Sequence, residues 1–415
     1  MLAVVAAAGC KSPVDISAVA AAYRDAVERE NRRPTIASAV ERAVKLLSSE
    51  GLPHEVCEEF GRNWGPAESL PQRPSKPLLN ALEQAVRRNK AAFQVVREAR
   101  GLPPGLLSLD LVDTANDMGV YLKLSAQIKL LHSRLCEAAL LHCWKGSARE
   151  GWEYVRDAIT VEAALTHTPV LLAHYNRTTM QGGSSSTALR VAQGCLAAPD
   201  TLREMAEVLT QSDVDVPAAM RTVLPFQRAA RLMWLEKLAR GDAVEMDRLI
   251  KVCRMMGENW PEMEKTVGGP PTAEFIIKRL PADRAAIESA FAAYEANLKR
   301  ADPKLPRTDD TGLGYAGHCA HPNFGRHADA LLSSVARPRC AVALLRVLAF
   351  KTKKGRMPNP GEVRLPENPF APESRVKVVL DSATHRLGAH IRWPGGDEED
   401  RIGYWLQLPV TGADN

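Results

Sequence analysis

Apolar side chains recur at intervals of three and four residues along most of the first 300 positions, a spacing typical of amphipathic helices packed in a core. Turns rich in Gly, Pro, Asp and Asn separate these segments. Serial helices of this kind predict an irregular helical bundle or an α-solenoid-like body, although no strict repeat period is visible. The predicted helices cover 15–32, 35–49, 77–99, 109–144, 147–172, 185–196, 199–209, 217–240, 242–256 and 272–299.

The pattern changes after residue 300. Residues 301–327 are rich in Gly, Pro and Asp and predict an extended connector, and 328–351 predict a helix interrupted near Pro338. Apolar and polar residues then alternate as in strands, which predicts a hairpin with its turn at 381–384, followed by a Gly-rich acidic turn and a final strand within 394–410. The predicted fold class is therefore mostly α, with a small C-terminal module of a helix and an antiparallel sheet.

These changes in pattern also predict the domain organisation. Pro34 separates two short helices that we expect to form a hairpin, and a stretch rich in Pro and Gly follows it. The predicted parts are a signal remnant at 1–10, a helical hairpin at 11–50, a linker at 51–76, a helical domain at 77–300, the connector at 301–327 and the α+β module at 328–410.

Composition and charge exclude several classes of protein. The 415 residues are 45% hydrophobic and 25% charged, which is ordinary for a globular chain and excludes disorder as its main state. The 54 Lys and Arg residues exceed the 49 Asp and Glu residues by only five and are spread along the chain, so we expect no nucleic-acid partner. Beyond the first ten residues no apolar run approaches the ~20 residues of a membrane-spanning helix.

The first ten residues, MLAVVAAAGC, place an apolar run from Leu2 to Ala8 and small residues directly before Cys10. This stretch resembles the end of a bacterial lipoprotein signal, in which the cysteine becomes acylated and N-terminal. No Lys or Arg precedes the apolar run and the run is short, so an alanine-rich disordered leader is the alternative. The resemblance predicts lipid attachment at Cys10 and a lipid-anchored or periplasmic location, with no other membrane contact.

Two groups of His and Cys residues are candidates for metal binding. His132, Cys136 and Cys143 share one helical arc, but apolar residues fill the same arc and Cys143 lies ~10 Å beyond Cys136 along the axis, so we expect core positions there. The connector holds donors suited to a soft divalent metal, but we expect a mobile polar loop there, with a metal site as the alternative. These donors are His318, Cys319, His321 and His327.

The segment QGGSSST at 181–187 resembles a phosphate-binding loop in its glycines only. It lacks the required Lys and no predicted strand precedes it, so we expect a flexible turn with a Ser N-cap before the next helix. The chain also lacks the GxSxG and HExxH patterns, and we therefore expect no catalytic residues. The other cysteines follow no disulfide spacing and are predicted to be buried small hydrophobes.

The C-terminal segment carries three short motifs in a fixed order, GRxP, LPxNPF and a Gly-rich acidic turn ending in DxIGxW. This order resembles the globular head of a type II secretion major pseudopilin. From 76 to 408 the chain is similar to a family of bacterial envelope proteins without an assigned activity, in which a pseudopilin-like tail follows an α-helical domain. The matching positions are Gly355, Arg356, Pro358, Leu365, Pro366, Asn368, Pro369, Phe370, Gly395, Gly396, Asp397, Asp400, Ile402, Gly403 and Trp405.

The resemblance implies a calcium site in the acidic turn, with oxygen donors from Asp397, Glu398, Glu399 and Asp400. Four consecutive acidic residues point in different directions, so we expect a solvated turn, with the calcium site as the alternative. A pseudopilin also needs an N-terminal peptidase site and a long apolar helix, and neither precedes this segment, so filament assembly is not expected. The expected function is that of a non-catalytic, envelope-associated helical scaffold or protein-binding protein. The alternative is a metal-dependent envelope enzyme that uses His318 and His321 or the acidic turn.

Overall fold

A computed structural model describes residues 16–54, 56, 58–59, 74–116, 118–194, 198–255, 260–299, 313–320, 324–381, 386–392 and 401–407. The described chain is mostly helical and ends in two small antiparallel sheets, which confirms the predicted fold class. Most of the predicted linker lies outside the described residues.

The N-terminal half begins with short helices and ends with longer ones. These are α1 Ile16–Glu30, α2 Ile36–Leu46, α3 Lys76–Arg88, α4 Lys90–Glu98, α5 Leu111–Asn116, α6 Met118–Trp144, α7 Ala148–Ala163 and α8 Leu171–Gly194. The second half contains α9 Pro199–Gln211, α10 Val216–Ala239, α11 Ala243–Met255, α12 Trp260–Val267, α13 Ala273–Lys299, α14 Tyr315–Ala320 and α15 Phe324–Lys354. The strands are β1 Glu367–Asn368, β2 Ala371–Arg375, β3 Lys377–Asp381, β4 Arg386–Arg392 and β5 Arg401–Gln407.

The helix predicted over 77–99 is divided in two at Asn89. The Asn89 side chain is buried, donates from Nδ2 to the carbonyl oxygen of Ala85 at 2.8 Å and accepts from the backbone N–H of Ser48 at 2.9 Å. A buried amide that bonds the backbone of two segments competes with the helical ladder, because Asn is a weak helix former. Asn89 therefore ends α3 and ties it to the chain that follows α2.

The turn predicted at QGGSSST is wrong. These residues lie in the middle of α8, which runs without a break from Leu171 to Gly194 and packs against α6, α7 and α15. Gly and Ser are poor helix formers, but their small side chains let neighbouring helices approach, and tertiary packing overrides the local preference. At Gly183 an added Cβ would lie 3.3 Å from Cε1 of His132, so the glycine accommodates that ring.

Two further expectations are corrected near residue 320. The interruption predicted at Pro338 is absent, because α15 is continuous through it with Ala336 and Cys340 fully buried on either side. The expected extended connector is helical where the structure describes it, since it contains α14 and the first turn of α15. The free energy gained by packing these segments in the core exceeds the cost of placing Gly and Pro in a helix.

The C-terminal module contains one two-stranded sheet and one three-stranded sheet of order β3-β4-β5. The predicted hairpin is present, with Lys377 opposite His390 and Asp381 opposite Arg386, and its predicted turn at 381–384 lies outside the described residues except for Asp381, which ends β3. The inner face of the larger sheet contributes Leu387, Ala389 and Leu406 to the core that it shares with α15. The module is therefore packed on the helical body.

The buried apolar residues form two large clusters in the body. One joins α7 to α15 with the sheet, and the other lies under the N-terminal helices. α1 packs mainly on α5 and α10, and α2 packs mainly on α4, α6 and α7, so both helices contact the body more than each other. Within the described ranges, no helix combines the length and the apolar character that a membrane crossing requires.

Candidate functional site

The central helix α8 buries an unusual number of polar side chains. His174, Arg177, Gln181 and Ser185 are each at least nine-tenths buried. Their spacing of three and four residues places them on one face of the helix, over a length of about 16 Å at the α-helical rise. We call this set the polar stripe.

Each member of the polar stripe has one buried atom without a hydrogen-bond partner in the described structure: His174 Nδ1, Arg177 Nε, Gln181 Oε1 and Ser185 Oγ. Three of these residues each make a hydrogen bond through another polar atom. His174 Nε2 donates to the Thr168 carbonyl oxygen at 2.9 Å, and both Arg177 and Gln181 donate to the Ser212 carbonyl oxygen at the end of α9. Because buried polar groups in proteins are almost always paired, four such atoms in one row distinguish this face of α8 from an ordinary helical core.

A second polar group lies beside the stripe, where α6, α7 and α8 meet. His132 of α6 contacts Ser184 Oγ of α8 at 2.8 Å and Glu162 Oε1 of α7 at 3.1 Å, both through Nε2. Ser184 donates its hydroxyl to the same Glu162 oxygen at 2.5 Å. On the other side of the ring, Nδ1 lies 4.0 Å from the thiol of Cys136. All four side chains are buried.

The protonation of His132 follows from these contacts. Burial alone lowers its pKa, but Cys136 and the hydrogen-bonded Glu162 carboxylate raise it more, and the pKa of His132 rises to about 10. At neutral pH the ring is then an imidazolium that donates to Ser184 and to Glu162 from Nε2. In contrast, burial and the nearby Arg177 lower the pKa of His174 to about 4, so this ring is neutral.

The Ser, His and Glu side chains do not form a catalytic triad. A triad places the Ser hydroxyl and the carboxylate on opposite nitrogens of the imidazole, so that the ring accepts the Ser proton. Here Ser184 and Glu162 share one nitrogen, and the Ser hydroxyl donates directly to the carboxylate. The fully buried Ser184 is also out of reach of a substrate. The cluster therefore holds a carboxylate in place and does not activate a nucleophile.

Glu162 also faces a cavity of about 500 Å³. The cavity is bounded by α7, by the loop that follows α4, by α8 and by the end of α9, and Arg100, Arg156, Glu162, Arg177, Gln211 and Ser212 are among its lining residues. Its volume falls within the usual range for small-molecule sites. The cavity is thus the place where the polar stripe and the His132 cluster meet solvent.

Two of the cavity arginines are not equally available to a ligand. Arg100 is committed to the α7 carboxylates, because it donates to Glu153 at 2.5 Å and to the fully buried Asp157 at 2.6 Å. Arg156 makes longer contacts, of 3.4 and 3.5 Å with Glu153 and of 3.5 Å with Glu204. Arg100 therefore builds the wall, and Arg156 lies at the rim.

The remaining two charges of the cavity, on Glu162 and Arg177, have opposite signs and are both buried. No ion pair joins them in the described structure, and both Glu162 Oε2 and Arg177 Nε lack a hydrogen-bond partner. Burial lowers the pKa of Arg177, and the charges of Glu162 and Asp213 oppose that effect. The cavity therefore presents one buried negative and one buried positive group that do not satisfy each other.

The metal ligands predicted from the sequence are not brought together where the structure describes them. His318 lies on α14, and His327 lies on α15 with its Nδ1 2.6 Å from the hydroxyl of Tyr175. His321, the acidic residues Asp397, Glu398, Glu399 and Asp400, and Cys10 lie outside the described residues. Among the described residues, no group of three His, Cys, Asp or Glu side chains is arranged to hold a metal ion. Cys143 contacts the Arg190 carbonyl at 3.6 Å, away from His132.

The polar composition of residues 174–190 was a sign of this site that a search for helical periodicity does not detect. Residues 174–190 carry polar side chains around the whole helix, including the face of the polar stripe, whereas an amphipathic helix keeps its polar residues on one face. A helix that is polar on all sides and still buried is a candidate for a functional interior. Comparison with protein-family models, with curated proteins and with solved structures found no significant match.

Proposed function

We propose that the protein is a non-catalytic binding protein whose helical body takes up a small polar ligand in the cavity between α7, α8 and α9. The observation that carries the proposal is the pair Glu162 and Arg177, which are buried, opposite in charge and not joined to each other. Glu162 is bonded through Oε1 and Arg177 through one terminal nitrogen, but Glu162 Oε2 and Arg177 Nε have no hydrogen-bond partner in the described structure. A buried polar atom without a partner costs about 1–3 kcal/mol, so a molecule that bonds to both atoms gains free energy on binding.

The chemistry of the two side chains defines the ligand class. Glu162 offers a carboxylate oxygen, which prefers a cationic donor such as an ammonium group, and Arg177 offers a guanidinium N–H, which prefers a carboxylate. The ligand that fits is a small zwitterion that carries both groups, such as an α-amino acid. The His132 imidazolium and the Ser184 hydroxyl hold Glu162 in position for it.

The test is a binding measurement on the full chain by calorimetry, with thermal unfolding as a second readout. The probes are L-serine and L-glutamine as zwitterions, propionate as a carboxylate without an amine, and propylamine as an amine without a carboxylate. We expect a zwitterion to bind and to raise Tm, and we expect neither single-charge compound to match it, because each leaves one buried group unpaired.

Arg177→Gln tests the assigned residue, and Arg203→Gln is its matched control on α9, where the exposed Arg203 pairs with Asp200. We expect Arg177→Gln to abolish the heat of binding and Arg203→Gln to leave it unchanged. Circular dichroism establishes that both variants are folded. Equal binding by Arg177→Gln and the wild type, or no binding of any zwitterion at millimolar concentration, would contradict the proposal.

We also propose, separately, that the protein is attached to the cell envelope through Cys10, and this is supported by the apolar run and small residues that precede it. Mass spectrometry of the N-terminal peptide after expression in a bacterium tests it. An acylated chain that begins at Cys10 supports the anchor, and an unmodified peptide that begins upstream of Cys10 contradicts it. The expected protein partner is tested independently by chemical cross-linking in the envelope fraction.

A further inference from the structure

Cys253 of α11 and Cys319 of α14 lie side by side, although they are far apart in the sequence. α11 packs against α14, and the thiols of these two free cysteines lie within hydrogen-bonding reach of each other. The two sulfurs differ in access, because Cys253 is fully buried while Cys319 is exposed. A reagent from solvent can therefore reach the sulfur of Cys319, while the sulfur of Cys253 is shielded from solvent.

The backbone that carries Cys319 is fixed from two sides. Asp283 of α13 accepts hydrogen bonds from the backbone N–H groups of Gly314, at 2.6 Å, and Gly317, at 2.9 Å. Arg231 of α10 donates to the carbonyl oxygens of Cys319, at 3.4 Å, and Ala320, at 2.7 Å. The short helix α14 is thus anchored so that Cys319 stays against Cys253.

The electrostatic surroundings assign different roles to the two thiols. The hydrogen bond from Cys253 and the positive charge of Arg231 lower the pKa of Cys319, against the effect of burial. The same hydrogen bond, together with burial, raises the pKa of Cys253. Because the thiolate is the reactive form of cysteine, the exposed Cys319 is the nucleophile and the protonated Cys253 is placed to react second.

We propose that Cys319 and Cys253 form a redox-active pair, which a hydroperoxide converts into an intramolecular disulfide between α14 and α11. The Cys319 thiolate attacks one oxygen of hydrogen peroxide, the S–O bond forms as the O–O bond breaks, and the released hydroxide takes up a proton to become water. Cys253 then loses its proton and attacks the sulfenic sulfur, forming the S–S bond as the second water leaves. The two sulfurs together lose the two electrons that the peroxide gains, and a dithiol reductant reverses the change.

The experiment treats the reduced full chain with hydrogen peroxide, blocks the remaining thiols and maps the peptides by mass spectrometry. We expect two of the eight cysteines to become protected and the peptides of Cys253 and Cys319 to appear linked, with the mass of two hydrogen atoms lost. The buried Cys340 is the internal control and is expected to remain a free thiol. Dithiothreitol is expected to restore all the thiols.

Two variants separate the roles. In Cys253→Ser, we expect a sulfenic acid at Cys319 that dimedone traps, because the second thiol is missing. In Cys319→Ser, we expect Cys253 to stay reduced at peroxide concentrations that oxidise the wild type. Linkage of Cys319 to another cysteine, no linkage in the wild type, or equal oxidation of Cys253 in Cys319→Ser would overturn the proposal. The wild-type map alone decides it if either variant fails to fold.

Discussion

Two long helices that pack against each other, α8 and α15, differ in how many polar side chains they bury among their apolar ones. The described part of α15 places Leu331, Val335, Leu344 and other aliphatic residues in the core. α8 instead buries the polar stripe together with Asn176, Ser184 and Thr187. The two helices share one interior, so the difference lies in what each contributes to it.

The comparison separates stability from binding. Burial of aliphatic side chains on α15 supplies free energy of folding at roughly 25 cal/mol per Å² of apolar surface. Buried polar groups on α8 supply little net free energy even when paired, and the unpaired ones oppose folding. We infer that α15 mainly holds the fold together and that the buried polar residues of α8, of which Arg177 lines the cavity, contribute mainly to binding. This division is open to test by changing one helix at a time.

The largest effect is expected for a truncation in α15. Leu344 is fully buried, and Leu344→Ala removes apolar contacts and leaves a cavity, so we expect a loss of about 2–5 kcal/mol in the free energy of unfolding. Urea denaturation measures it. The matched control is Leu122→Ala on α6, where Leu122 is 49% exposed and the change is expected to be within about 0.5 kcal/mol. Equal losses in the two variants would show that α15 has no special share in stability.

The next effect is an alkaline loss of stability that depends on His132. Its pKa is raised to about 10 in the folded protein from about 6.5 in the unfolded chain, so the folded state holds a proton that the unfolded state releases. This contribution is full below pH ~6.5 and is lost as the pH rises towards 10. Between pH 6.5 and 9 we expect the wild type to lose about 3 kcal/mol more than His132→Gln in urea unfolding. Parallel pH curves for the two proteins would contradict the assigned imidazolium.

A smaller effect of opposite direction is expected at His174. Burial lowers its pKa from 6.5 to about 4. Between these two pH values the ring is therefore protonated in the unfolded state and neutral in the folded state. The contribution is full above pH ~6.5 and is lost as the pH falls towards 4. Between pH 7.5 and 4.5 we expect the wild type to lose about 2 kcal/mol more than His174→Gln. Comparing the two proteins at each pH cancels the contributions of the shared carboxylates, and an equal acid loss would contradict a buried neutral ring.

The same two helices show how far the sequence predicts the structure. The apolar spacing of α15 identified it as a helix, but Pro338 predicted a break that packing on both sides removes. In α8 the Gly and Ser residues at 182–186 predicted a turn, because both residue types favour turns. The prediction was wrong because the neighbouring helices pack closely there and require small residues. Helices with a clear apolar face were predicted, and those buried on all sides were predicted in part.

The candidate site could not be predicted from the sequence, and the reason differs from that for the helices. His132, Glu162 and Arg177 come from three helices, and nothing in their spacing along the chain states that α6, α7 and α8 meet. His132 was correctly expected to be a core position, because apolar residues share its arc. The carboxylate that pairs with it could not be chosen among the 49 acidic residues without the packing of the helices.

The smallest effect tests the contact between α8 and the C-terminal sheet. The hydroxyl of Tyr404 on β5 donates to the carbonyl oxygen of Gly182 on α8 at 3.2 Å, and burial raises the pKa of Tyr404 to about 12. Tyr404→Phe keeps the ring and removes this hydrogen bond, so we expect a loss of about 1 kcal/mol in the free energy of unfolding. The loss is expected to be the same with and without a zwitterionic probe, because the bond joins the sheet to α8 outside the cavity lining. A change in probe affinity would mean that the sheet positions α8 for binding, and the division between the two helices would then be less complete.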